Sequence, residues 1–437
     1  MSERGHEIAC LCMAELSLRP WMHWKRTDER FSIYHLYNGG VYPGVYPQGG
    51  VGTRSPQLEI DPSIKLRRLV FQIIHEFSPD LISIQSLFGL PLRMMEEIAQ
   101  GPIPTVFTAL DYFSICPTAH LFPPEEKPCR LPAQQLTCDQ CCSQTLHYVP
   151  FWVTHHFDQW IDHCSNPSFL RSTLCRLRNI VIRVNRLWNK KSVHREGYIR
   201  RREIASESLK SLTVIQPISH RQAEVLQELT GRLSNIRVIH AHPVSTTKIT
   251  SQPLPSSTQR PLRFVALNVH APYKGSELLN SVFRELEKKQ YPFELHFYGA
   301  RPENTISSSQ VHYHGRYQES DLDSIGSDAD FLLIPSLWDE TLGFVGLEMM
   351  ARGVPLIVSQ LAGVSEFVKN WETGFIFDPH QKDSLLQIIE ELFQNESLRQ
   401  KIQQNASIPN ESLKTFDQHV TEIEEMFRGA VIQKASN

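Results

Sequence analysis

The sequence predicts an α/β protein built as two Rossmann-like domains facing one another across a cleft. Three observations carry that prediction. The chain has 437 residues, too many for one ordinary domain and suited to two of about 200 each. Short apolar runs alternate with amphipathic stretches through both halves, the pattern of parallel sheets covered by helices. Between the halves, residues 244–261 are rich in Ser, Thr and Pro without periodicity, as a linker is. The boundaries that follow are 1–243 for the first domain, 262–411 for the second and 412–437 for a last helix.

In the first half, apolar strands are expected at Glu7–Met13, Phe31–His35, Asp80–Gln85 and Thr105–Thr108, in one parallel sheet. Helical periodicity over Ser63–Glu76 and Pro91–Ala99 separates them. A strand–helix–strand unit, Leu212–Ile215, Ser219–Thr230 and Ile236–Ile239, closes the half. In the second half, strands are expected at Leu262–Val269, Phe293–Tyr298, Val311–His314, Phe331–Ile334, Pro355–Val358 and Gly374–Phe377. Helices fall near Ser276–Lys289, Gln318–Ile325, Phe344–Arg352, Lys382–Gln394 and Ser412–Val431. In such open sheets, ligands bind beyond the carboxyl ends of the strands.

Composition excludes several classes. An apolar content of 41% supports packed cores, and a formal net charge of -3 gives no global attraction to nucleic acid. No run of 18 apolar residues is present, and Met1–Glu7 lacks the apolar centre of a signal peptide. Nine cysteines, an odd number, point to a reducing compartment rather than a disulfide framework. The expected location is cytoplasmic, with peripheral contact on the inner membrane face as an option.

The chemistry concentrates at residues 330–366. An apolar strand enters a loop carrying Glu340, a helix opens near Gly343, and Glu348 lies eight residues after Glu340, about a turn and a half into that helix. The amides of Leu342, Gly343, Phe344 and Val345 open the helix and favour an anion. Upstream, Lys274-Gly275 stands at another strand-to-helix junction, where an ammonium meets a diphosphate or is simply solvated. Tyr298-Gly299 and Gly315-Arg316-Tyr317 end two further strands, as nucleotide-holding loops or as plain turns. His312 and His314 share one strand face and read as satisfied histidines rather than metal ligands.

The segment resembles the donor site of family 4 retaining glycosyltransferases, whose frame is Pro-Ser…Glu-x-x-Gly…Glu…Gly-x-Pro. Pro335, Ser336, Glu340, Gly343, Glu348, Gly353, Pro355, Gly363 and Glu366 fall in that frame. The resemblance implies the GT-B arrangement, with the last helix returning to the first domain. It also implies transfer of a sugar from a nucleotide-diphosphate sugar to a glycan or lipid-linked acceptor, with retention at the anomeric carbon. In that reading Glu340 orients the donor sugar, Glu348 grips ribose, Gly315 lies by the nucleotide, and Lys274 faces the diphosphate. No catalytic metal or cofactor is required. The alternative is an impaired homologue acting as a binding or scaffolding subunit.

Three departures from the family feed that alternative. The cation expected five or six residues before Lys274 is replaced by Asn268 and Val269, leaving Arg301 or Arg316 as substitutes. Thr108–Pro117 resembles an acceptor-side segment, with Asp111 in register, but Leu110 stands where the family has histidine, and His120 is merely close in sequence. Arg4-Gly5-His6-Glu7-Ile8 matches a family segment that normally follows a strand, a Gly-Gly loop and a long helix, so those elements are expected to be missing. Asn38-Gly39-Gly40 and Gln48-Gly49-Gly50 come later, without a preceding strand.

A Cys-rich and basic insertion, about residues 116–205, carries two further expectations. Cys116, Cys129, Cys138 and Cys141, spaced Cys-x12-Cys-x8-Cys-x2-Cys, suit a structural zinc or are ordinary small thiols. Leu170, Leu174, Leu177, Val181, Val184 and Trp188 form a helical stripe, and residues 171–202 hold eleven Lys or Arg against one Glu. Residues 170–202 would therefore pack on the domain, lie on an anionic leaflet, or recruit a phosphate-bearing lipid-linked acceptor.

Overall fold

The computed structural model describes residues 1–13, 21–26, 31–37, 59–122, 128–132, 135, 137–142, 195–242, 260–302, 304–381, 383–406 and 413–436, with isolated positions between 173 and 184. The linker, except for 260 and 261, both Gly-Gly stretches and most of the 170–188 stripe lie outside the described residues.

The first half holds β1 (Ile8–Met13), β2 (Trp21–Arg26), β3 (Phe31–Tyr37), α1 (Ile64–Phe77), β4 (Ile82–Ile84), α2 (Leu92–Ala99), β5 (Thr105–Ala109), a single turn α3 (Cys138–Cys141), α4 (Arg195–Ser211), β6 (Val214–Pro217) and α5 (His220–Thr230). The expected single parallel sheet is instead two three-stranded sheets, β1-β3-β2 and β4-β5-β6. β2, absent from the expectation, pairs antiparallel with β3 from Trp21↔Tyr37 to Arg26↔Ser32. Ile236 forms only an isolated bridge to Ile215. Leu36, Leu66, Val70, Met94 and Ile98, with Ile82 of β4 packed against them, join the two sheets and α1 and α2 in one apolar cluster. Ser63 caps α1 through a hydrogen bond from the Leu66 amide, as a serine before an apolar-periodic run should.

One expectation fails inside the basic stretch. Arg201 and Arg202 are buried, 1% and 4% exposed. Arg201 pairs with the equally buried Glu59 and donates to the Phe113 carbonyl, while Arg202 donates to the Ile115 carbonyl at 2.7 Å. These guanidiniums staple α4 to the loop after β5, so they are neither solvated nor available to a leaflet.

The second half is regular: β7 (Leu262–Leu267), α6 (Ser276–Lys288), β8 (Phe293–Tyr298), β9 (Val311–Gly315), α7 (Leu322–Asp328), β10 (Phe331–Ile334), α8 (Phe344–Met350), β11 (Leu356–Ser359), β12 (Gly374–Phe377), α9 (Ser384–Gln394) and α10 (Glu396–Ala406). The six strands run parallel in the order β12-β11-β10-β7-β8-β9. Chain order reverses between β7 and β10, so the crevice at their carboxyl ends is the topological switch point where ligands bind. Phe331, Leu332, Leu333 and Ile334 are all buried because helices cover both sheet faces, each side chain contributing about 1.5–3 kcal/mol. Finally α11 (Phe416–Ser436) lies against the first half: Met426 and Ala430 pack with Val106, Val214 and Ile239, and Lys434 donates to the Ala99 carbonyl at 3.1 Å. Among the described residues no helix is long and apolar enough to cross a membrane.

Candidate active site

The loops after β7 and β10 meet at the switch point. After β7 the chain makes a 3-10 turn, Pro272–Lys274, and reverses at Gly275 with φ +83°. A methyl group at Gly275 would collide with the Pro335 carbonyl oxygen and come within 2.8 Å of its carbon. Only glycine lets the two loops touch backbone to backbone. That contact brings Lys274 Nζ to 2.5 Å from Glu340 Oε1, and Ser336 Oγ donates to the other oxygen, Oε2. The ammonium also stands 5.2 Å from the centre of the Trp338 ring. The pair is partly buried, with side chains 25% and 12% exposed.

Gly343, at φ +93°, turns the chain into α8. Leu342 is buried and its carbonyl accepts from the Val364 amide at 2.5 Å. Gly343, Phe344 and Val345 follow at the start of α8, with Phe344 42% exposed. On α8, Glu348 lies near Tyr317, whose hydroxyl accepts from Asn268 Nδ2 at 2.9 Å. Burial first, then the Glu348 carboxylate, pushes the Tyr317 phenol up to about 12. Gly315 ends β9, its carbonyl accepting from the Gly299 amide at 2.7 Å. Lys274, Glu340, Glu348, Gly315 and the 342–345 turn therefore all lie at or beyond the carboxyl ends of strands on the two sides of the switch point.

The replacement cations differ in what holds them. The Arg301 guanidinium sits over the Tyr313 ring at 4.9 Å, and Arg316 is exposed at the strand end. Asp111 closes its own turn, its Oδ1 accepting from the Phe113 amide at 2.7 Å, and burial raises its pKa. Leu110 is 44% exposed.

His120 is the residue that sequence reasoning set aside. Its ring lies 4.9 Å from Tyr273, the residue before Lys274, and 5.2 Å from Trp338, whose ring faces the Lys274 ammonium. Its neighbours Ala119 and Leu121 both adopt left-handed backbone, φ 62° and 51°, a strained way to present a side chain. Nδ1 lies 2.5 Å from the Thr118 carbonyl, so Nδ1 carries the hydrogen when the ring is neutral and Nε2 is left as the acceptor. Burial, aided by the Lys274 charge, lowers its pKa. The only sequence signal is a histidine three residues after Cys116-Pro117.

Asp339, fully buried beside Glu340, ties the domains together. Arg221 on α5 donates to its Oδ1 from Nε at 3.0 Å and Nη2 at 2.5 Å. Arg130, next to Cys129, stands 2.6 Å from Oδ2, but that oxygen makes no aligned hydrogen bond. Arg221 is therefore the stronger hold. Ser219 caps α5 through the Gln222 amide and donates across the seam to the Thr341 carbonyl at 2.5 Å.

Cys116, Cys129, Cys138 and Cys141 line one cavity of about 20 Å³, and Cys142 packs beside Cys138 against Tyr198 without lining it. Burial pushes the Cys138 thiol up to about 12 and raises Cys129. The donor set fits a tetrahedral zinc. Among the described residues, however, these sulfurs form no group with all ligand atoms within 4.8 Å.

Residues 254–408 match the family model for glycosyl transferases group 1. The fold as a whole is GT-B: sucrose-phosphate synthase from Thermosynechococcus elongatus superposes with a TM-score of 0.59 at 13% identity, over 98% of this chain and 90% of that one. Anabaena HepE in complex with UDP gives 0.50 at 14% identity, over 84% and 82%. Among curated proteins, a putative glycosyltransferase of Bacillus subtilis is 32% identical over 107 residues, 24% of this chain and 26% of the relative. The sulfoquinovosyl transferase of Arabidopsis thaliana is 26% identical over 137 residues, 30% of this chain. The matched stretch spans about a quarter of each relative's length, 26% in both.

Proposed function

We propose that the protein is a retaining glycosyltransferase that moves a sugar from a nucleotide-diphosphate sugar to a glycan or lipid-linked acceptor. The observation that carries this reading is the Lys274–Glu340 pair, held at the switch point by the Gly275–Pro335 contact. Without ligand, each charge neutralises the other. A bound diphosphate takes over Lys274 and frees Glu340 for sugar hydroxyls. The anomeric C–O bond breaks with its electron pair leaving on the phosphate oxygen. Lys274 and the amides at 343–345 stabilise that charge electrostatically. The acceptor oxygen bonds to the same face of the anomeric carbon and its proton passes to the departing phosphate. His120 Nε2 accepts a hydrogen bond from the acceptor or donor hydroxyl and so fixes its approach. Glu348 and Tyr317 receive the ribose. The protein supplies the charge stabilisation itself, so no step calls for a metal.

A screen of nucleotide sugars by thermal shift tests this, since a ligand that binds only the folded state stabilises it by mass action. UDP and its sugars belong in the panel because HepE is described in complex with UDP. Stabilisation by a nucleotide, lost in Glu348→Ala, supports the reading; no response to any nucleotide overturns it.

Two accessory readings go with it. A structural zinc in the cysteine cavity would be held by Cys116, Cys129, Cys138 and Cys141, exchanging buried thiol protons for the ion, and would stiffen the loop carrying Arg130 and His120. Peripheral contact with an anionic membrane through 170–202, its buried Arg201 and Arg202 excepted, is supported by the exposure of Leu177, Ile180 and Val184, at 45%, 55% and 45%. Their i, i+3, i+7 spacing sets one apolar stripe. Flotation with anionic but not neutral vesicles, weakened by salt, is expected; equal flotation with both removes the idea.

A further inference from the structure

Away from the cleft, two imidazoles and a carboxylate meet at the seam between the domains. His220 opens α5, His240 follows the bridged segment at Ile236, and Glu366 sits in the 3-10 turn Gly363–Phe367 of the second domain. Their ligand atoms all lie within 4.8 Å of one another. His240 Nε2 stands 2.9 Å from Glu366 Oε2, and the His220 ring meets the His240 ring at 5.4 Å. The Phe367 ring packs against His240 at 4.8 Å.

The carboxylate is oriented from behind. The backbone amides of His220 and Arg221 donate to Oε2 and Oε1 at 3.0 and 2.7 Å, as outer-shell hydrogen bonds orient metal ligands. Burial alone would raise the Glu366 pKa, but the His240 and amide hydrogen bonds outweigh it and hold the carboxyl below its ordinary range. The adjacent cation, Arg221, is committed to Asp339, so its charge is already matched.

We propose that His220, His240 and Glu366 bind one divalent cation of the zinc class and that this ion bridges the two domains. Two imidazole nitrogens and one carboxylate oxygen suit zinc, whereas calcium and magnesium take all-oxygen sets. The His240–Glu366 hydrogen bond is the ion-free pairing. On binding, the imidazole changes tautomer: the Nε2 proton leaves to solvent, Nδ1 takes one up, and the Nε2 lone pair turns to the metal. A fourth position stays open to water.

The ion has a direct route to the cleft. Glu366 shares its turn with Gly363 and Val364, whose amides donate to the carbonyls of Glu340 and Leu342 at 2.9 and 2.5 Å. A cation at the seam would fix that loop to the first domain. The site itself does not depend on the glycosyl-transfer reading.

Cobalt(II) titration of the full chain tests the proposal, because its spectrum separates this site from the cysteines. Thiolate ligation gives an intense charge-transfer band; a site of two imidazoles and a carboxylate gives weak visible absorption without it. One equivalent of the weak, thiolate-free signal is expected, displaced by zinc. His220→Asn, at an exposed first helical position, should lower cobalt affinity at least about tenfold while the circular dichroism is unchanged. His240→Gln should do the same. A titration showing only thiolate-bound cobalt, or unchanged affinity in folded His220→Asn, overturns it.

Discussion

Gly275→Ala is the smallest change that should disable the cleft. At φ +83° an alanine is strained by about 1–2 kcal/mol. Its Cβ would also strike the Pro335 carbonyl, with the carbonyl carbon at 2.8 Å and the proline Cβ at 2.9 Å. Pro335 is anchored at the end of the buried strand β10, so the lighter 3-10 turn of 272–274 has to move. Clearing a carbonyl oxygen takes about 1 Å, and a misplacement of that size costs about 10²-fold in rate. The 2.5 Å contact between Lys274 and Glu340 cannot survive it. The assay is release of nucleoside diphosphate from the donor identified in the nucleotide-sugar screen. Turnover should fall about a hundredfold with the protein still folded, although Lys274 itself is intact. A folded Gly275→Ala protein with turnover indistinguishable from the parent would refute the argument that this contact sets the geometry.

Glu348→Ala should weaken nucleoside diphosphate binding by about 10- to 100-fold, the worth of charged hydrogen bonds to ribose, by calorimetric titration. Glu340→Ala should instead lower turnover with little change in that affinity, and the reverse pattern would exchange the two assignments. His120→Gln should cut turnover about 10²-fold while donor affinity stays the same. Because burial depresses the His120 pKa, its neutral form persists below pH 6.5. The parent rate should therefore stay level as pH falls through 6.5 and drop only at more acid pH, a limb absent from His120→Gln. The same depression means that the stability His120 contributes is full above 6.5 and is lost as pH falls below it. Elemental analysis of protein purified without added metal should find tightly held zinc, retained in His220→Asn and lost in Cys138→Ser with Cys141→Ser. Zinc near zero in the parent would leave the cysteines as plain buried thiols.

How much of this the sequence discloses depends on where the information lies. In the second half, the expected strands at Phe293–Tyr298, Phe331–Ile334 and Gly374–Phe377 match the observed ones residue for residue: Phe331–Ile334 is an unbroken apolar run buried on both faces, and Phe293–Tyr298 alternates apolar buried with polar half-buried positions. Lys274, Glu340 and Glu348 could be placed because strand-to-helix junctions are local signals. In the first half, Trp21–Arg26 ends in two cations and lacks a clean alternation, so β2 was not visible. The Arg-rich start of α4 read as a solvated or membrane-facing surface. Only its distant partners, Glu59 and the carbonyls of Phe113 and Ile115, make burial of Arg201 and Arg202 tolerable. His120 beside Trp338, Asp339 beneath Arg221, and Glu366 against His220 and His240 are contacts between chain segments more than a hundred residues apart. No local pattern encodes such meetings; the docking of the two domains does.

The central claim is retaining transfer from a nucleotide-diphosphate sugar, and the anomeric configuration of the first-formed product tests it most directly. With water as acceptor, no knowledge of the natural acceptor is needed. Proton NMR of the donor selected by the nucleotide screen, followed from the first minutes, should show the freed sugar appearing with the donor's own anomeric configuration before mutarotation mixes it. Release should disappear in Lys274→Ala. A first-formed sugar of inverted configuration, or release that persists unchanged without Lys274, would contradict the account.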